Sequence, residues 1–219
     1  MGIFLTPLGT GYSIILMLLA FFFVLRATKR IPWKAWQEPT AFSAWCASII
    51  VLIFLWRMHI PVLPDFHLHL LGVALLALMF GRPLALIGAA IAVFAYTAEF
   101  EGTWRNMGAN IILLAAIPTF LSNGILCATQ RYLPQHMFVY LFGNGFFGAM
   151  VVQAGTGILA LAAHSIMLPA EVIPSDAIAF MLLLAWGEAS LVGFLVTIFA
   201  VYRPEWLFTF DDRMYLKGK

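Results

Sequence analysis

The chain has 219 residues, of which 63% are hydrophobic and only 10% are charged, with a formal net charge of +2. Soluble domains carry about 25% charged residues, so this composition excludes a soluble globular protein. It predicts an all-α integral membrane protein with residues 1–219 in one transmembrane domain. The first charge, Arg26, follows the first apolar run, so no cleavable signal peptide is expected. Cys46 and Cys127 indicate neither a disulfide framework nor a thiolate metal site.

Seven apolar segments follow one another along the chain, at 10–27, 41–57, 69–81, 82–98, 109–129, 137–163 and 177–202. A helix that crosses a bilayer needs about 20 residues, and five of the segments are long enough if tilt is allowed for. The third and fourth are short and meet at Phe80-Gly81-Arg82-Pro83, a helix-breaking sequence. They fit either two short spans or a re-entrant pair, and we favour two spans.

The basic residues predict the orientation. With seven spans, the N-terminus outside and the C-terminus cytoplasmic, ten basic residues fall on the cytoplasmic side and two on the outer side, as the positive-inside bias expects. A hairpin that does not cross would leave Arg82 outside. The cytoplasmic set is Arg26, Lys29, Arg30, Lys34, Arg82, Arg131, Arg203, Arg213, Lys217 and Lys219; the outer set is Arg57 and Arg105.

Three of the five histidines lie between the second and third segments, in "MHIPVLPDFHLHLLG". His59, His67 and His69 are therefore expected on the outer side, together with His164, while His136 is cytoplasmic. Imidazole is a common ligand of transition metals, and His67 and His69 would point the same way in an extended segment. The alternative is that they hydrogen-bond to lipid headgroups or cap a helix. The sequence has no HExxH motif of a zinc hydrolase.

Glu188 lies in the middle of the last apolar segment, where a carboxylate costs about 2.5–3.5 kcal/mol to insert. We expect it to face the bundle interior and to have a partner. It fits equally a structural lock between helices and a group on a transport path. Further candidates for interhelical hydrogen bonds are Asn110, Asn123, Asn144 and Gln153.

Two further patterns bear on cofactors and partners. "GNGFFG" at 143–148 matches a dinucleotide fingerprint, but it lies within an apolar run and indicates close helix packing instead. No P-loop and no mid-span histidine occur, so neither a nucleotide nor a haem is expected. The first loop, with Trp33 and Trp36 in "RIPWKAWQEP", predicts a short amphipathic helix, either an interfacial anchor or a docking element.

Taken together, the motifs resemble the membrane permeases of cobalt/nickel-type energy-coupling-factor transporters (CbiM/NikM-like). The similar motifs are "HLLG" at 69–72, "GAN" at 108–110, Gly187-Glu188 running on to Arg203-Pro204, and "IPVLP" at 60–64. They cover nearly the whole chain in order and spacing.

The resemblance implies about seven helices and capture of a divalent transition-metal cargo on the outer side. It also implies separate ATPase and coupling membrane subunits and a multi-pass protein of the bacterial cytoplasmic membrane. In that family the ion is held by the nitrogen of the N-terminal Met, a His at the second position and a His before the third span. Met1 and His69 match this set, but the second position is Gly2. His59 and His67 are candidate replacements for the missing imidazole.

Two functions therefore remain open. The first is a permease for uptake of a divalent transition metal (cobalt or nickel class), with the ion at His69, His67, His59 and Met1. In it, Glu188 and Asn110 stabilise the bundle around the site or path. The second is a non-transporting accessory subunit of a larger membrane complex. An enzyme is not expected, because catalysis needs a convergent set of acid, base and nucleophile.

Overall fold

The computed structural model describes residues 1–31, 39–63, 66–99, 102–167, 176–211 and 215. Within these ranges, six helices are long and apolar enough to cross a membrane, so the fold is mostly helical and that of a multi-pass membrane protein. They are α1 (Thr10–Thr28), α2 (Pro39–Arg57), α3 (Val73–Glu99), α4 (Trp104–Tyr132), α5 (Val139–Met167) and α6 (Asp176–Tyr202). The predicted amphipathic helix with Trp33 and Trp36 lies outside the described residues.

Helix α3 contains the predicted break between the third and fourth segments. Gly81 has φ 74°, a left-handed conformation that glycine adopts without steric cost, and the helix resumes with Pro83 in its first turn, where proline is tolerated. The indole of Trp56 donates to the Leu71 carbonyl at 3.0 Å, and its ring lies 6.2 Å from Tyr96. A straight helix would separate Leu71 from Tyr96 by about 38 Å. The chain therefore reverses direction at Gly81.

A two-stranded antiparallel hairpin joins α2 to α3, with strands β1 (His59–Leu63) and β2 (Phe66–His69). The third apolar segment, 69–81, is helical only from Val73, because 66–69 is a strand and α3 begins at Val73. The N-terminal segment pairs with the same hairpin through an isolated bridge between Ile3 and Phe66, both completely buried. Backbone groups in this region are thus satisfied by other segments of the chain.

Helix α5 packs closely against α6 through the glycine-rich stretch 143–148. A Cβ added at Gly193 of α6 would lie 3.3 Å from the Cβ of Phe146 in α5, which is tighter than most real contacts. This arrangement confirms that "GNGFFG" lies in a helix and serves helix packing.

Candidate metal site at the hairpin

The hairpin brings the three predicted histidines to one face. Cross-strand pairing sets His59 opposite His69 and Pro61 opposite His67, and opposed residues of an antiparallel pair project to the same side. The rings of His59 and His67 lie 4.6 Å apart between centroids. His59 is exposed, His67 is half-buried and His69 is buried. The face therefore runs from solvent into the protein.

The imidazole of His69 is held in one orientation. Its Nδ1 lies 3.0 Å from the Leu70 carbonyl oxygen; since a carbonyl only accepts, Nδ1 carries the proton and Nε2 presents a lone pair. The ring packs 5.3 Å from the completely buried Trp56. Burial lowers the pKa of His69 well below its usual value.

The N-terminal amine lies beside this histidine. Met1 is buried and its amine donates to the His67 carbonyl. Burial lowers the pKa of the Met1 amino group to about 4. Burial thus favours the uncharged amine, whose nitrogen has a lone pair. The buried amine and the buried His69 imidazole thus both belong to the region where β2 meets the N-terminal segment.

Two asparagines at the start of α4 hold the N-terminal segment. Asn110 accepts from the Ile3 amide at 2.8 Å and donates to the Ile3 carbonyl at 2.9 Å. Asn106 accepts from the Leu8 amide at 2.9 Å and donates to the carbonyls of Ile3 and Thr6. Sequence reasoning singled out Asn110 but missed Asn106; the signal was their spacing of four, which places both on one helix face.

Gly2 has no room for a side chain. An added Cβ would lie 2.5 Å from the Phe4 ring and 2.6 Å from Asn110 Oδ1, closer than real carbon contacts allow. The Phe4 ring is itself packed on Tyr96 at 4.9 Å. The space beside the second residue is thus filled by two side chains that are fixed elsewhere.

Glu188 and Gln153 hold the turn that follows His69. Glu188 Oε1 accepts from the Gly72 amide at 2.7 Å, and Gln153 accepts from the Leu71 amide at 3.1 Å and donates to the His69 carbonyl at 2.9 Å. Both side chains are completely buried. The expected interior position and partner of Glu188 are therefore found, and the partner is backbone of the histidine-bearing segment.

Of the remaining two histidines, His164 packs on the hairpin and His136 lies away from it. His164 is buried near the end of α5 with its ring 5.5 Å from Phe66, and His136 stacks on Phe138 at 5.5 Å, before α5 begins. In the described part of the chain, no three side chains of His, Cys, Asp or Glu are grouped so that they could hold a metal ion. Any ion here would therefore need the terminal amine or backbone groups in addition to imidazole.

Comparison with known proteins places this geometry in a family. Residues 7–206 match the model of the cobalt uptake substrate-specific transmembrane region. A crystal structure of a truncated transition metal transporter superposes with a TM-score of 0.74 at 19% identity, covering 91% of this chain and 98% of that one. A second, of a transition metal transporter, gives 0.70 at 19% identity, with 91% and 92% covered. No curated protein matches significantly.

These likenesses bear on function only at the level of the family. The two structures are too distant in sequence to show more than the fold. The family match covers 200 of 219 residues, from 7 to 206, and the family comprises transporters and not enzymes. The chain therefore belongs to the cobalt uptake substrate-specific transmembrane family.

Proposed function

We propose that this protein is the substrate-binding permease for uptake of a divalent transition-metal ion of the cobalt or nickel class. The ion is held at the outer face by the Met1 amine and the His69 imidazole, and His67 and His59 line its approach. The observation that carries the proposal is the burial of the amine beside His69, both with available lone pairs.

The donor chemistry favours a late first-row metal. Amine and imidazole nitrogens suit cobalt, nickel, copper and zinc, whereas calcium and magnesium prefer oxygen. Gly2 supplies no imidazole. Its backbone nitrogen or the imidazole of His67 would take the place of that ligand. The general affinity order along this row does not by itself select cobalt or nickel.

The proposed topology has seven spans, with the N-terminus outside and the C-terminus cytoplasmic. The reversal at Gly81 supports two crossings in α3, and the ten-to-two distribution of basic residues supports the orientation. The hairpin and Met1 then lie at the outer face. Since the sequence has no P-loop, separate ATPase and coupling subunits would supply energy, in a bacterial cytoplasmic membrane.

One observation favours the second candidate, a non-transporting accessory subunit. The space beside Gly2 is filled by Phe4 and Asn110, so the position that resembles a family ligand is closed to any side chain. A protein that kept the fold and lost the ion would have this packing. Copurification separates the two: an ATPase pair supports the permease, and redox subunits support the accessory subunit.

Elemental mass spectrometry of protein purified in mild detergent without chelator tests the binding proposal. About one equivalent of one transition metal is expected in wild type, and less in His69→Ala and in a His67→Ala/His69→Ala double variant. His136→Ala is the matched control, because His136 stacks on Phe138 away from the hairpin. Absence of metal in all samples, after incubation with cobalt, nickel, copper and zinc, would reject the proposal.

A further inference from the structure

Three arginines line one cleft at the end of the bundle opposite the hairpin. Arg26 and Arg30 lie in and just after the last turn of α1, and Arg82 follows the reversal at Gly81. The cleft has a volume of about 240 Å³. We call it the arginine cleft. Its other walls include Phe22, Phe23, Leu86 and Phe120.

The convergence of these charges results from the fold. Arg26 in the last turn of α1 and Arg30 just after the helix both line the cleft. Arg82 joins them because Gly81 reverses the chain at this point. The Arg82 guanidinium lies 5.5 Å from the centre of the Phe120 ring, a cation–π distance that directs this side chain towards α4.

No carboxylate neutralises the arginine cleft among the residues that the structure describes. The ion pairs found there join Arg57 to Glu99 at 3.2 Å and Arg203 to Glu205 at 3.3 Å, and neither involves the cleft. Three like charges that share a concave, partly apolar cleft create a strong local positive potential. Such a site attracts an anion.

The apolar walls define what kind of anion fits. Phe22 is 53% exposed and Phe120 is 40% exposed, and both belong to helices apolar enough to lie in a bilayer. A hydrated free anion gains nothing from these rings, whereas a lipid places its phosphate among the guanidiniums and its acyl chains along the rings. Arginine binds phosphate oxygens in bidentate fashion, and basic pockets between membrane helices are known to take anionic headgroups.

We propose that the arginine cleft binds the phosphodiester headgroup of an anionic phospholipid, which bridges α1 to the turn at Gly81. The site is separate from the metal site and does not depend on metal binding. The bound lipid connects the end of α1 to α3 and α4. Among the described residues, no ion pair makes this connection.

The test is native mass spectrometry after extraction from nanodiscs that contain equal amounts of phosphatidylglycerol and phosphatidylcholine. Wild type should retain phosphatidylglycerol in preference. Each of Arg26→Gln, Arg30→Gln and Arg82→Gln should lower that preference about fivefold, the factor for loss of one charge near a membrane surface. The triple variant should lose the preference. Arg131→Gln is the matched control, because Arg131 is also exposed near the end of a helix but packs on Tyr132 outside the cleft.

Three results would overturn the proposal. The triple variant could retain the preference, or Arg131→Gln could reduce it as strongly as the cleft variants. Excess inorganic phosphate could displace the lipid, which would make the ligand a free anion. Thermal unfolding in neutral detergent without lipid provides the folding control, and the single variants keep the test valid if the triple variant unfolds.

Discussion

Glu188→Ala removes the oxygen that accepts the Gly72 amide hydrogen, whereas Glu188→Gln keeps an acceptor in the same position. The Gly72 amide is 2.7 Å from Oε1 and Glu188 is completely buried. After truncation the Gly72 amide has no acceptor, while the Leu71 amide still has Gln153. One buried unsatisfied amide costs about 1–3 kcal/mol, which corresponds to about 2–12 °C in melting temperature for a chain of this size.

Thermal unfolding in mild detergent, combined with hydrogen exchange at 69–72, measures this effect. We expect Glu188→Ala to melt lower and to exchange faster at Gly72, and Glu188→Gln to melt within a degree or two of wild type. Equal destabilisation by both variants would refute the reasoning, because it would mean that the carboxyl contributes something other than an acceptor. If Glu188→Gln folds normally but abolishes metal uptake, Glu188 acts on the transport path and is more than a structural lock.

Two further perturbations test the packing that supports the site. Gly108→Ala should lower the melting temperature strongly, because the added Cβ would lie 2.4 Å from a backbone nitrogen of α1. Gly124→Ala, in the same helix but with no atom within 4 Å of an added Cβ, should change the melting temperature little. Equal effects of the two variants would contradict this packing. Asn110→Ala should speed acylation of the Met1 amine in metal-free protein at least about fivefold, because the N-terminal segment loses about 1 kcal/mol of binding to α4. Asn123→Ala should leave the acylation rate unchanged.

Hydropathy predicts the helices well because each span is a local property of the sequence. The first segment, 10–27, corresponds to α1 at Thr10–Thr28, and the break near Gly81 lies where Gly and Pro predict it. The structure differs from the hydropathy segment at residues 69–72, which precede the helix that begins at Val73. These residues are not helical, and Gln153 and Glu188 satisfy their backbone groups. Local pattern carries no information about such distant partners.

The candidate site was predictable only in part. The cluster of histidines is visible in the sequence, and the resemblance to a family indicates His69 and Met1. Asn106, which binds the N-terminal segment, was indicated only by its spacing of four from Asn110. The closure of the space beside Gly2 was not predictable, because it depends on tertiary packing.

The central claim is that the terminal amine and His69 both bind the same metal ion. Calorimetric titration of cobalt and nickel into an N-terminally extended variant tests this claim most directly. One alanine added before Met1 moves the amine by about 3.8 Å along the chain and leaves every histidine in place. We predict that its affinity falls by at least the 10–100-fold typical for loss of a group that only orients a ligand. Unchanged affinity in a normally folded variant would contradict the claim, because it would show that the Met1 amine is not a ligand.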